Sequence, residues 1–197
     1  MNTRILFTTD PQLPREVEAT LEKGGLLVFP TDTVFGVGGN PWDVQAVERV
    51  RFVKGRSPDQ PFTLHLPTID MIGRFASVSP TQWEILEHFL PGPYTFLLRS
   101  AHGVPPSVEK EGKVGIRVPN HPFFSTVMAN LGRSLFGTSV NRSGEPPLLD
   151  IDQILERFSG VDLVIRGSGC TGTSSVIIDL TVKPPRTLRG ALPDALR

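Results

Sequence analysis

Short apolar runs and stretches of helically spaced apolar residues interleave along this chain. Ile5–Thr8 predicts a first strand. Pro14–Lys23 reads as a helix, with proline at its first position and Gly24 past its end. Leu26–Phe29 is a continuous apolar run, as in a strand buried on both faces, and Pro30 stops it. Asn40 followed by Pro41 predicts a helix start with Asn40 as the cap; Val44, Val47, Val50 and Val53 keep helical spacing behind it. Phe62–Leu66 predicts a strand, and Thr68–Ala76 reads as weakly helical. Ser79 with Gln82 forms a capping box, which predicts a helix over Pro80–Leu90. Strands follow at Tyr94–Arg99 and Val114–Val118. Between them Ser100–Gly112, polar and rich in glycine and proline, reads as a mobile loop. Phe123–Leu131 predicts a helix, Leu135–Thr138 a strand, and Ile151–Phe158 a helix capped by Asp150. Leu163–Ile165 and Ser175–Leu180 predict the last strands. Some connections are too short for crossovers. The fold class expected is therefore α/β, a single domain over residues 1–197 with a twisted, mixed parallel and antiparallel sheet.

Composition narrows the function. Lys plus Arg equals Asp plus Glu at 20 each, so the chain is not a strongly basic nucleic-acid binder, although a local basic pocket fits. One cysteine, Cys170, excludes an intramolecular disulfide and a cysteine-rich metal site. The N-terminus lacks the apolar run of a signal peptide, and nothing approaches the roughly 18 apolar residues of a membrane span, so a cytoplasmic location is expected. His65, His88, His102 and His121 show no metal-ligand spacing; His88 and His102 read as surface residues. Gly167–Gly172 has the letters of a dinucleotide fingerprint, but a strand follows where a helix is needed, so it reads as a flexible glycine loop. There is no P-loop and no nucleophile elbow.

The remaining chemistry gathers in polar turns beside apolar strands. Thr31, Asp32 and Thr33 follow one strand, and Ser139 and Asn141 follow another, where open α/β sheets carry ligands. Lys54 and Arg56 stand at a helix end, a pattern that suits a phosphate as well as a solvated helix terminus. Arg117, flanked by alternating apolar residues, suits a substrate carboxylate or a structural ion pair. Together these residues read as a pocket for a phosphate-bearing ligand and a small polar molecule.

Seven pieces in order, from about residue 15 to 190, carry a resemblance. They are Pro30–Gly36, Lys54-x-Arg56, Pro91–Thr95, Gly115–Pro119, Ser139-x-Asn141-x-Ser-Gly144, Ser175–Asp179 and Leu188–Gly190. The chain resembles the YrdC-type threonylcarbamoyl-AMP synthase family, in its short single-domain form. The resemblance implies a concave basic cavity in the sheet. It also implies a nucleotidyltransferase that makes L-threonylcarbamoyladenylate and pyrophosphate from L-threonine, bicarbonate or CO2, and ATP. A tRNA threonylcarbamoyltransferase complex would then modify adenosine 37 of tRNA, with direct contact to tRNA or double-stranded RNA also open. By this likeness Thr33, His65, Arg117 and Ser175 would hold L-threonine. Lys54, Arg56, Gln60, Ser139, Asn141 and Arg189 would hold ATP, with Lys54 and Arg56 catalytic. Mg2+ would arrive on the ATP phosphates, with no protein metal site. Phe35, Val140 and Val176 stand where relatives usually carry tyrosine, alanine and threonine, and Ser57-Pro58 where proline often follows the arginine directly. Phrases such as Pro-Gly-Pro-Tyr-Thr-Phe also resemble the YciO branch, so two alternatives stay open: a YciO-like nucleotide or RNA binder without synthase activity, and a carbamoyl-adenylate enzyme like the related domain of hydrogenase-maturation carbamoyltransferases. The latter sits in a much longer, cysteine-bearing chain.

Overall fold

Alternation along the strands decides the architecture, because successive side chains point to opposite faces. The computed structural model describes residues 3–158 and 160–196. In chain order it contains β1 (Arg4–Phe7), α1 (Leu13–Glu22), β2 (Leu27–Phe29), β3 (Gly36–Gly39), α2 (Val44–Lys54), β4 (Thr63–His65), β5 (Ala76–Ser77) and α3 (Pro80–Phe89). There follow β6 (Tyr94–Ser100), β7 (Glu109–Lys110), β8 (Lys113–Arg117), α4 (Ala129–Leu131), β9 (Leu135–Ser139), α5 (Ile151–Arg157), β10 (Leu163–Arg166), β11 (Val176–Asp179) and β12 (Arg186–Arg189). The strands form one mixed sheet in the order β1-β10-β2-β3-β9-β4-β8-β6-β11-β12, with β5 paired to β6 and β7 to β8. β4 runs parallel to β8 and β11 parallel to β6, while β3–β9, β4–β9 and β6–β8 are antiparallel.

On the central strands Leu64, Phe96, Leu98, Val114, Ile116, Phe136 and Ile178 are fully buried in the larger core, joined by Val47 and Val50 of α2 and Leu86 of α3. Each such phenylalanine contributes about 1.5–3 kcal/mol by leaving water. A second core gathers Leu13 and Val17 of α1 with Phe29, Phe123, Phe124 and Leu163 around β1, β10 and β2. Over the remaining strands the opposite face, carrying His65, Thr95, Leu97, Gly115, Arg117, Gly137 and Ile177, lines a cavity.

Several expectations shift. β3 is not among the expected strands; its Gly-Val-Gly-Gly sequence hides it. A Cβ on Gly36 would lie 2.4 Å from the Phe29 ring, and one on Gly38 1.7 Å from the Phe136 carbonyl, so only glycine lets β3 lie here. β12 was not expected either. α2 begins three residues later than predicted: Asp43 is its cap, its side chain accepting from the Ala46 N–H at 2.9 Å, while Asn40 accepts from Trp42 in the preceding turn. Val44 faces solvent at 73% exposure instead of the core. The Thr68–Ala76 stretch contains a 3-10 turn over Ile69–Arg74, and the helix from Phe123 starts as a π-helix to Met128. The α3 capping box and the Asp150 cap of α5 stand as expected. Ser100–Gly112 is anchored: Val108 is buried, Ser107 Oγ donates to the Pro41 carbonyl at 2.9 Å, and β7 turns back onto β8. The glycine loop is pinned too. Gly172 N–H donates to the Thr33 carbonyl, and the Phe123 N–H donates to His121 Nδ1, which leaves His121 Nε2–H to donate to the Ser168 carbonyl.

Candidate active site

The cavity on the open sheet face has a volume of about 270 Å3. Its wall carries three cations, Arg56, Arg117 and Arg189, and no carboxylate side chain. Hydroxyls of Thr31, Thr63, Thr95, Thr138, Ser139, Ser174 and Ser175 join them, and Val34, Phe35, Leu97 and Ile177 supply apolar surface. Gly115 and Gly137 keep the floor low: a Cβ on Gly137 would lie 2.8 Å from Phe29 and 3.1 Å from the His65 ring.

Parallel pairing sets His65 of β4 beside Arg117 of β8. His65 is 5% exposed and packs on Phe29 and Phe124. Its Nδ1 lies 3.2 Å from the Thr63 carbonyl. Burial, aided by the Arg117 charge, lowers its pKa to about 3, so the ring is neutral at physiological pH. With Nδ1–H donating to that carbonyl, Nε2 is left as an acceptor. Arg117 is 4% exposed, and its Nη2 lies 2.5 Å from Asp32 Oδ1. The ion pair posed as the structural alternative for Arg117 is therefore present, and Arg117 lines the cavity as well. Burial works against its charge, Asp32 supports it, and Arg189 opposes it.

Ser175 immediately precedes β11. Its Oγ lies 3.0 Å from Thr95 Oγ1 and accepts from Arg189 Nη2 at 2.9 Å, while Arg189 Nε donates to the Ser175 carbonyl. Arg56 stacks on Phe62, with its guanidinium carbon 4.9 Å from the ring centroid, and its Nη2 donates to the Pro61 carbonyl. Arg51 lies near the same ring at 5.0 Å.

The predicted residues thus divide. Arg56, His65, Arg117, Ser139, Ser175 and Arg189 line the cavity. Thr33, Lys54, Gln60 and Asn141 stand outside its lining. Thr33 is buried behind Thr31, with hydroxyls 3.0 Å apart. Gln60 is exposed, and its carbonyl accepts from Arg51 and Arg56. Lys54 is buried and spends all three ammonium hydrogens on the Ser139 carbonyl (2.6 Å), the Asn141 carbonyl and Asn141 Oδ1 (both 2.9 Å). Burial and then the Arg56 charge lower its pKa to about 7. Asn141 in turn accepts from Ser139 Oγ at 2.6 Å and donates to the Arg142 and Glu145 carbonyls. Lys54 and Asn141 therefore shape the turn that presents Ser139. Thr31 enters the wall from the polar turn expected to carry ligands, whereas Thr95 enters it without having been named as a ligand group. The polar residues directly after β2, and the period-2 alternation through Tyr94-Thr-Phe, were the available signals.

Such a wall, cationic and lined by hydroxyls, suits an anionic or zwitterionic ligand. The Sua5/YciO/YrdC family model, described as telomere recombination, matches residues 19–191. The chain belongs to this family. It is 34% identical over 178 residues to a threonylcarbamoyl-AMP synthase of Pyrococcus abyssi, a match covering 88% of this chain and 52% of that protein. A synthase of the same name from Nitrosococcus oceani is 33% identical over 147 residues, covering 73% of this chain and 80% of that protein. Escherichia coli YciO, described as uncharacterized, is 29% identical over 88% of this chain and 86% of its own length. The crystal structure of P. abyssi Sua5 complexed with L-threonine superimposes at a TM-score of 0.85 with 29% identity, over 96% of this chain and 57% of that one. E. coli YciO superimposes at 0.87 with 26% identity, over 98% and 97%. This member of the family thus spans about half the length of the Pyrococcus synthase and nearly all of YciO. No helix among the described residues is long and apolar enough to cross a membrane.

Proposed function

We propose that this chain is an L-threonylcarbamoyladenylate synthase, a nucleotidyltransferase acting in the cytoplasm for N6-threonylcarbamoyl modification of adenosine 37 in tRNA. The observation that carries the reading is a cavity wall with three arginines, a band of hydroxyls and no carboxylate. It suits a substrate triphosphate next to a small polar amino acid, and the family resemblance supplies the reaction. Arg117 takes the threonine carboxylate. Thr31, Thr95, Ser175 and the His65 ring meet its amine and side chain. Arg56, Arg189 and Ser139 receive the phosphates, with Lys54 and Asn141 holding Ser139 in place.

The neutral threonine amine bonds to the carbon of CO2, a C=O π pair moves onto oxygen and one nitrogen proton leaves to solvent, which gives a carbamate. A carbamate oxygen then attacks the α-phosphorus. The bond from that phosphorus to the bridging oxygen breaks, and pyrophosphate leaves with the electron pair. No covalent enzyme intermediate is needed. The protein's contribution is alignment and neutralisation of charge on the phosphates. Mg2+ belongs to the ATP phosphates in this scheme and adds neutralisation there. Among the described residues no cluster of His, Cys, Asp or Glu could hold a metal ion. The product would pass to a tRNA threonylcarbamoyltransferase complex.

A second reading is favoured by the near-complete mutual coverage with YciO. It is a YciO-like nucleotide or RNA binder without this synthase activity. Pyrophosphate release from ATP and bicarbonate, measured with and without L-threonine, separates the two. The synthase reading expects threonine-dependent release that falls by about 100-fold or more in Arg56→Ala. ATP binding without release supports the YciO-like reading. Salt-sensitive binding of double-stranded RNA or tRNA with no ATP binding supports an RNA-binding module.

A further inference from the structure

The two ends of the sheet are built differently. β12 ends one side. It follows Pro184 and Pro185, carries Arg186 and Arg189, and meets β11 with a register shift between Ile177 and Ile178. Proline, charge and irregular pairing all deter a further strand from adding on. β1 ends the other side among the described residues and has none of these. Arg4–Phe7 pair with β10 in unbroken register, and the one charge of the strand, on Arg4, is engaged by Glu16 of α1.

Pairing with β10 fixes what β1 presents outward. The Arg4 and Thr8 N–H groups donate to the Asp162 and Arg166 carbonyls. Backbone groups alternate along a strand, so Ile5 and Phe7 direct theirs away from β10, where no strand lies among the described residues. The Phe7 carbonyl accepts from the Asp10 N–H and keeps a second lone pair. The side chains are exposed as well, Ile5 at 41% and Phe7 at 60%, while Leu6 between them packs on the second core. A two-fold antiparallel copy of the same strand complements this edge. Ile5 would lie opposite Phe7 of the second copy, Phe7 opposite Ile5, Leu6 opposite Leu6, and Arg4 opposite Thr8. Ile5 and Phe7 then exchange both backbone hydrogen bonds, an aliphatic side chain covers an aromatic one, and no like charges meet. Such an isologous contact closes at two copies and does not propagate.

We propose that the β1 edge is a self-association surface whose partner is a second copy of this chain, joined β1 to β1 into one continuous sheet. The cavity lies over β4, β8 and β6, away from this edge, so the interface stands whether or not the synthase reading holds. Sedimentation equilibrium from micromolar to millimolar protein tests it. Wild-type protein is expected to move from the mass of one chain towards that of two. Ile5→Pro deletes an N–H that the pairing with β10 does not use, and edge strands accept proline at such a position. It removes half of the intermolecular backbone bonds and should weaken the dimer about tenfold or more. Phe7→Lys sets a charge on the exposed edge and should leave only monomer, and it carries the test if Ile5→Pro fails to fold. Hydrogen exchange gives the position of the contact: the Ile5 and Phe7 amides of wild-type protein should exchange more slowly as concentration rises. Wild-type protein that keeps the mass of one chain throughout overturns the proposal. A dimer that persists in Phe7→Lys overturns it too, as does a wild-type dimer whose Ile5 and Phe7 amides exchange at the monomer's rate.

Discussion

Arg117 and Arg56 face one cavity and are held in opposite ways. Arg117 projects from a central strand, is 4% exposed and is neutralised by Asp32. Arg56 follows the end of α2, lies over the Phe62 ring and bonds backbone carbonyls. The first arrangement fixes a charge by sheet register and makes it part of the core. The second leaves a charge compensated by neutral groups alone and free to meet an anion. The contrast teaches that a binding residue in the sheet is also structural, whereas one on the rim is not. Removing Arg117 should therefore damage fold and function together, and removing Arg56 function alone.

The largest expected effect tests that contrast directly. Arg117→Ala leaves Asp32 buried without its partner and is expected to cost about 3–5 kcal/mol of stability. Arg56→Ala should stay within about 1 kcal/mol. Urea denaturation midpoints measure both. Removing the two charges together, as Arg117→Met with Asp32→Asn, should cost clearly less than the sum of the single changes, since neither charge is then stranded. Equal losses for Arg117→Ala and Arg56→Ala would erase the distinction.

How far the sequence disclosed this site follows the same division. Alternation around Arg117 was legible, and so was the cluster of polar turns beside the strands. The capping box of α3 and the Asp150 cap were legible because their partners lie three residues apart. β3 was not, because Gly36, Gly38 and Gly39 carry no side-chain signal; the need for them comes from Phe29 and Phe136, which only the folded sheet brings close. The pairing of Asp32 with Arg117 spans 85 residues, and that of Lys54 with Asn141 spans 87, so no local spacing announces either. Lys54 and Arg56 looked alike as cations at a helix end; burial separates them into a clamp and a wall residue.

A smaller effect sharpens the account of the Arg117 side. His65 sits beside Arg117 on the neighbouring strand, and its pKa of about 3 is well below the ordinary 6.5. Between those values the unfolded chain binds more protons than the folded one, so stability rises with pH and is lost as pH falls below about 6.5. At pH 5 the loss from this group is about 2 kcal/mol. His65→Gln lowers stability through packing, but it should remove this slope between pH 7 and 5. Among the described residues no other histidine lines the cavity. A slope unchanged in His65→Gln would show that another group carries the acid sensitivity.

The smallest effect lies on the other side, at the Lys54 clamp. Its three hydrogen bonds need the ammonium form, yet burial first, and the Arg56 charge second, lower its pKa to about 7. In free protein at pH 8 most Lys54 is then the neutral amine, which can donate only two of those three bonds. Triphosphate on the Arg56 side offsets the cationic repulsion and favours the ammonium, so ATP binding at pH 8 should take up a proton, approaching one per site. At pH 6 Lys54 is already charged and uptake should vanish. Calorimetry at each pH in two buffers of different ionisation enthalpy reads the proton directly, and Lys54→Met should abolish it. Buffer-independent heats at pH 8 would mean that the Ser139 and Asn141 acceptors hold the proton against burial, making Lys54 a permanent cation like Arg117.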